Sequence, residues 1–213
     1  MRRLLLVRHA STPATRARAF PADEALDERG RTEATALGAA LAPRLQGAIP
    51  PLFDVLCSSA RRCIQTAEAA GLQVSRIEPE LAECDFGAWA GRTLAEVSTA
   101  DAEAAAAWMA DPAAQPHGGE SLIALAARIA AWLDRQAALD GDAVAITHGG
   151  VVRAALVHAL GAPLDAFWRI DVAPLAITEL HAHDGRWTVK QVNAAGPTIP
   201  KSQTAANLLG APA

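Results

Sequence analysis

Short apolar runs alternate with amphipathic stretches along most of this chain. Leu4, Leu5, Leu6 and Val7 form the first run, which predicts a strand buried on both faces. It stops at Arg8 and His9, and Pro13 predicts a block to regular continuation into a polar loop over residues 11–27. Residues 53–57 predict a second strand and residues 74–77 a third. Val144, Ala145, Ile146 and Thr147 form a fourth run that ends in His148-Gly149-Gly150. Residues 177–180 and 187–192 predict a hairpin about Asp184-Gly185. Between these runs the apolar spacing is helical. Leu37, Leu41 and Leu45 share a face of a helix entered from Asp27-Glu28-Arg29-Gly30 and ended near Gly47 and Pro50-Pro51. Ser58 or Ser59 is placed to cap a helix over residues 60–70, stopped by Gly71. Residues 93–116 predict one or two helices around Trp108. Glu120-Ser121 opens a long helix to about Asp140, with Leu122, Leu125, Ile129 and Leu133 on its apolar face. Residues 151–160 predict a further helix and residues 164–168 a helical turn. The pattern predicts an α/β fold, a three-layer α/β/α sandwich with a mostly parallel central sheet, in one domain over residues 1–195. Residues 196–213 hold little pattern and predict a loosely ordered tail.

Two strands that each deliver a histidine at the carboxyl end predict one site built around two imidazoles. In open α/β sheets that rim is where ligands bind. Arg8 lies beside the first histidine, and Arg61-Arg62 lie in the first turn of a helix. Guanidinium forks match phosphate oxygens, and the helices starting near Ser58 and after Gly149 can aim backbone N–H groups at the same anion. A neutral imidazole next to phosphorus can attack it and form a phosphohistidine, while the other, if protonated, can stabilise charge on the equatorial oxygens. The leaving alkoxide then needs a proton, and Glu83, between Leu81 and Phe86, is the candidate donor.

Composition narrows the classes. The chain has 213 residues and a formal net charge of −4, which argues against a general nucleic-acid binder. No apolar run approaches membrane-spanning length, and the four apolar residues before Arg8 are too few for a signal peptide. Cys57, Cys63 and Cys84 are odd in number and lack CxxC spacing, which fits a reduced cytoplasmic compartment. His181 and His183 have the spacing to share a strand face but no evident third ligand, so no metal site is expected. His117 and His158 suggest no role, and Trp89, Trp108 and Trp168 are first of all packing residues.

Six segments in order resemble the histidine phosphatase superfamily, in its phosphoglycerate mutase-like branch. They are Leu-Val-Arg-His-Ala-Ser-Thr at residues 6–12, Leu-Asp-Glu-Arg-Gly at 26–30, the helix at 58–67, Leu-Ala-Glu-Cys-Asp-Phe-Gly at 81–87, Gly-Gly-Glu-Ser at 118–121 and Thr-His-Gly-Gly at 147–150. The resemblance implies that His9 is the nucleophile, that Arg8, Arg62 and His148 form the phosphate pocket with Thr15 and Gly149, and that Glu83 is the proton donor. It implies metal- and cofactor-free hydrolysis of a small phosphorylated substrate, with no nucleic-acid or membrane partner. Ala10 departs from the signature glycine, Thr15 from a frequent asparagine and Ala90 from a frequent glutamate. A mutase, or a phosphate-binding module without turnover, is the alternative. Residues 93–127 contain no lysine or arginine, only acids such as Glu96, Asp101, Glu103, Asp111 and Glu120. That acidic cover predicts neutral or apolar leaving groups, with Arg16, Arg18 and Arg92 as the cations that other loops could set against it.

Overall fold

The computed structural model describes residues 1–45 and 53–194. In chain order the strands are β1 (Arg2–Arg8), β2 (Phe53–Cys57), β3 (Arg76–Ile77), β4 (Gly141–Thr147), β5 (Ile177–His183) and β6 (Arg186–Ala194). The helices are α1 (Pro13–Ala17), α2 (Glu28–Thr35), α3 (Leu37–Leu41), α4 (Arg61–Ala69), α5 (Leu94–Ala100), α6 (Ala102–Ala110), α7 (Leu122–Ala137) and α8 (Gly149–Leu160). The described strands form one sheet in the order β3-β2-β4-β1-β5-β6. The first four in chain order run parallel, and β5 and β6 add an antiparallel edge.

The alternation of side chains in β1 explains the layering. Leu4 and Leu6 pack with Leu56, Ala143 and Ala145 against apolar residues of α7 and α8. Leu5 and Val7 point the other way, with Val144 and Ile146, onto residues of α2, α3 and α4. All four residues of the run are 0–1% exposed. Truncating any one of the leucines to alanine would cost about 2–5 kcal/mol, because a two-sided core cannot collapse onto the gap.

Three sequence expectations change. Pro13 starts a helix rather than blocking one: it occupies the first turn of α1, where its missing N–H costs nothing, and Thr12 caps that turn by accepting from the Thr15 amide at 3.1 Å. The helix expected through Leu45 is α2 followed by α3, joined by a tightened turn in which the Ala36 amide donates to Glu33 O at 3.2 Å. The third strand is only Arg76–Ile77. The expected helix end at Gly47 and Pro50-Pro51, and the tail from residue 196, lie outside the described residues.

Candidate active site

Strand register brings the two histidines together. Arg8 is paired with Thr147 across β1 and β4, and the His9 amide donates to Thr147 O at 2.8 Å. The next residues, His9 and His148, therefore leave the sheet side by side. Their ring centroids are 5.2 Å apart with planes at 65°. On the other flank Cys57 pairs with Ile146 and the Ser58 amide donates to Ile146 O at 3.0 Å, which sets Ser58 beside His148.

Ser58 was expected as a helix cap, but the α4 cap position is Ala60, without a side-chain bond. Ser58 Oγ instead sits 2.9 Å from His148 Nε2. Arg62 in the first turn of α4 donates from its guanidinium to His148 Nδ1 at 3.2 Å. Because an arginine can only donate, Nδ1 of His148 carries no proton, and Nε2–H donates to Ser58. His9 has the opposite tautomer. Its Nδ1 is 2.7 Å from its neighbour's carbonyl, Ala10 O, and must donate there, which leaves Nε2 bare. Thr66, one turn beyond Arg62, locks the backbone around both groups. Its hydroxyl donates to Arg62 O at 2.7 Å and accepts from the Ala10 amide at 3.0 Å. Nothing in the sequence analysis gave Thr66 or Ser58 that work.

Both imidazoles are held neutral. Burial pushes His9 down to about 3, helped by the Arg62 and Arg8 guanidinium groups, and burial lowers His148 well below the ordinary value. Above pH 6.5 folded and unfolded chains share the neutral form. Between pH 6.5 and about 3 the unfolded chain binds the His9 proton and the folded one does not. Unfolding free energy should therefore fall on acidification by about 1.4 kcal/mol per pH unit for each such histidine. Denaturant titrations between pH 7 and 4 check this, and stability that rises on acidification would contradict the neutral pair.

Arg8 and Arg62 share a feature. Both Nε atoms are buried with no hydrogen-bond partner among the described residues. Arg8 is anchored at one end, where its guanidinium donates to Val172 O at 2.5 Å. Arg62 is 4% exposed, with the Glu24 carboxylate 3.8 Å away. Glu24 is itself held by Thr12 Oγ1 at 3.0 Å and the Ala22 amide at 2.8 Å.

Glu83 meets the start of α8. Its carboxylate accepts from the Gly150 amide at 3.2 Å and from the Cys84 amide at 3.1 Å. A Cβ at residue 150 would come within 2.2 Å of Glu83 Oε1, so this close approach requires glycine. The expectation that two helix starts offer open N–H groups to an anion changes accordingly. The Gly150 amide already has Glu83, and the Arg61 amide at the start of α4 has Asp23 at 2.8 Å. Gly149 lies against Arg8, with a Cβ there 3.4 Å from its Nε. The Glu83 segment is braced from behind. The Arg128 fork grips Glu120 at 2.6 and 2.9 Å and also donates to Ala82 O at 3.0 Å. Glu120 in turn donates its amide to Asp85 O at 2.8 Å.

A cleft of about 780 Å³ opens beside Arg8, Glu83 and Gly150. Its walls include Thr15, Arg18, Phe86, Trp108, Arg153, Phe167, Trp168 and Asp171. Thr15 is bonded to Thr12 (Oγ1 to Oγ1, 3.0 Å) and borders the cleft rather than the histidines. Trp89 is 4% exposed and packs 5.4 Å from Phe20 beneath the cleft, while Trp108 and Trp168, 5.1 Å apart, face it. The acids that predicted a repelling cover do not line it. Glu96 and Asp101 cap α5 and α6, and Glu120 is spent on Arg128. Charge comes instead from Arg18 and Arg153, which the sequence analysis had not placed in the site together. His181 is paired with Glu179 at 2.7 Å on the hairpin, and the described residues contain no group of three or more His, Cys, Asp or Glu able to hold a metal.

The chain is similar to several phosphatases. Over 133 residues it is 36% identical to a glucosyl-3-phosphoglycerate phosphatase of Mycobacterium tuberculosis, covering 60% of this chain and 56% of that protein. The chain thus spans little more than half the length of that relative. Over 139 residues it is 35% identical to an adenosylcobalamin/alpha-ribazole phosphatase of Salmonella typhimurium, covering 62% of this chain and 66% of that one. A solved mycobacterial glucosyl-3-phosphoglycerate phosphatase with bound VO3 superposes with a TM-score of 0.76 at 30% identity, over 92% of this chain and all of the other. The family model of the histidine phosphatase superfamily, branch 1, matches residues 4–195, and the chain belongs to that family.

Proposed function

We propose that this chain hydrolyses phosphomonoesters of small metabolites through a phosphohistidine on His9. The observation that carries the reading is the pair of buried Nε–H groups on Arg8 and Arg62 that lack an acceptor beside an imidazole with a bare Nε2. Arg2, Trp132 and Trp187 also bury a donor without an acceptor among the described residues, but Arg8 and Arg62 carry theirs where both guanidinium groups act on His9 and His148, and a phosphate oxygen is the acceptor whose charge and shape fit guanidinium. His9 Nε2 attacks phosphorus as the ester P–O bond breaks. The Glu83 carboxylic acid gives its proton to the departing alkoxide. In the second half, Glu83 as carboxylate takes a proton from water, the water oxygen bonds to phosphorus, the P–N bond breaks and phosphate leaves. Arg8, Arg62 and His148 hold the equatorial oxygens, with Gly149 beside Arg8 and Thr15 at the edge of the substrate cleft. His148 is neutral without an anion and gives its Nε2–H to Ser58, so it reaches a phosphoryl oxygen when that oxygen takes the place of Ser58 Oγ or draws a proton onto Nδ1.

The family assignment supports this reading, as do relatives named as phosphatases of two different phosphorylated compounds. Residues 1–195 form the catalytic domain in this account, and three free cysteines suit a reducing cytoplasm. No described helix is long and apolar enough to cross a membrane.

Nitrophenyl phosphate turnover tests the reaction class. Activity should be unchanged in a chelator and strongly inhibited by vanadate, which mimics pentavalent phosphorus. Activity lost on chelation and restored by a divalent metal would replace this reading with a metal-dependent one.

A further inference from the structure

A second loop clasps the segment that carries Glu83. The Ala88 amide donates to His117 O at 2.9 Å and the Glu120 amide to Asp85 O at 2.8 Å, so residues 117–120 lie along residues 85–88. The approach is close: a Cβ at Gly87 would come within 2.1 Å of His117 O, and one at Gly119 within 2.1 Å of Asp85 O. Cys84 Sγ adds a third tie by donating to Glu120 O at 3.2 Å. Cys84 is also the residue whose amide holds the Glu83 carboxylate at 3.1 Å. The clasp therefore reaches the proton donor through a single residue.

His117, to which the sequence analysis gave no role, shapes the turn of the clasp. Its Nδ1 accepts from the Gly119 amide at 3.0 Å, and Gly118 between them takes a φ of +74°. Because an amide can only donate, the ring proton sits on Nε2. Burial lowers the pKa of His117, against the opposing charge of Asp85, and so keeps Nδ1 free to accept. The residue is 2% exposed, and Nε2 is buried with no hydrogen-bond partner among the described residues. The Trp89 and Phe86 rings stand 5.1 and 5.9 Å away, close to perpendicular. An unpaired donor in an aromatic pocket is destabilising, and a phenyl ring would fill the space without one. What a phenyl ring lacks is the acceptor at Nδ1.

We infer that His117 is a positioning residue for Glu83: through the Gly119 amide it fixes the loop that holds Cys84 and Asp85, and with them the carboxyl group that protonates the departing alkoxide. This role rests on the hydrolase reading and extends it to the side chain behind the proton donor. A misplacement of about 1 Å in such a group costs about a hundredfold in rate.

Two variants separate positioning from packing. His117→Asn keeps an oxygen at the place of Nδ1 but leaves part of the ring pocket empty, so it should melt at a lower temperature than His117→Phe. Activity should fall in the opposite order. On the alkyl phosphate that the wild type turns over fastest, His117→Phe should lose about tenfold to a hundredfold in kcat/KM. On nitrophenyl phosphate it should lose less than about threefold, because nitrophenolate leaves without a proton. His117→Asn should keep the wild-type ratio of the two kcat/KM values within about threefold. Equal losses of His117→Phe on both substrates, a larger alkyl phosphate loss in His117→Asn than in His117→Phe, or failure of either variant to fold would make the role of His117 structural and overturn the inference, leaving the hydrolase reading intact. No vanadate-sensitive phosphate release by the wild type from any monoester, nitrophenyl phosphate included, would remove the hydrolase reading itself.

Discussion

His9→Ala should lower kcat by roughly 10⁴-fold or more, because the route through the enzyme loses the only atom that bonds to phosphorus. The geometry makes this more than loss of one contact. His9 Nδ1–H is committed to Ala10 O, so the ring is fixed and Nε2 is the single lone pair presented. With burial holding His9 at about 3, nearly every molecule at neutral pH is in the nucleophilic form. The variant should still fold. It should also resist acid better than the wild type, since a buried neutral imidazole has been removed. Phosphate binding should persist, because Arg8, Arg62 and His148 remain. Turnover by purified His9→Ala within a hundredfold of wild type, with contaminating phosphatase excluded, would eliminate His9 as nucleophile.

Glu83→Gln should separate substrates by leaving group. On alkyl phosphates kcat/KM should fall by about 10²–10⁴-fold, since the alkoxide leaves poorly without a proton. On nitrophenyl phosphate kcat/KM should change by less than about tenfold, because nitrophenolate leaves unaided. The second half-reaction still needs Glu83 as base. Nitrophenyl phosphate should therefore give a burst of nitrophenolate followed by slow turnover. The isosteric amide keeps one oxygen that can accept from the Gly150 amide but loses the acceptor for the Cys84 amide, so one of the two bonds that position the side chain survives. Equal losses in kcat/KM on both substrate types would transfer the role to another acid, with Asp85 the nearest in sequence.

What could be read from the sequence follows the physics of each feature. Leu4 to Val7 and residues 144–147 are apolar on every position, and a run with that pattern between helices has one stable place, a central parallel strand. Once both strands are central, His9 and His148 are neighbours by register alone. Thr147, His148 and the two glycines are contiguous, so their proximity was visible before any fold was known. Ser58 and Thr66 were not legible in this way. Their hydroxyls bond to groups 90 and 56 residues away, a distance over which residue type gives no warning. The start of α1 was misjudged because proline is helix-breaking in an interior and helix-starting in a first turn, and only the cap at Thr12 decides which. The acidic cover failed for a related reason. Composition gave the sign of residues 93–127, but none of their five carboxylates lines the cleft: Glu96 and Asp101 serve as helix caps, Glu120 pairs with Arg128, and Glu103 and Asp111 lie outside its walls. Arg153 escaped notice because helix α8 looked apolar. A cation one turn after the glycine that holds Glu83 was the available signal.

Capture of the phosphoenzyme tests the central claim most directly. Glu83→Gln, mixed with nitrophenyl phosphate labelled in its phosphoryl group and quenched in alkali during the burst, should carry about one phosphoryl group per chain. The label should be stable in alkali and lost in acid, as a phosphorus–nitrogen bond requires, and peptide mapping should place it on His9. An unlabelled chain during an observed burst, or label on His148, a serine or a cysteine, would contradict the account.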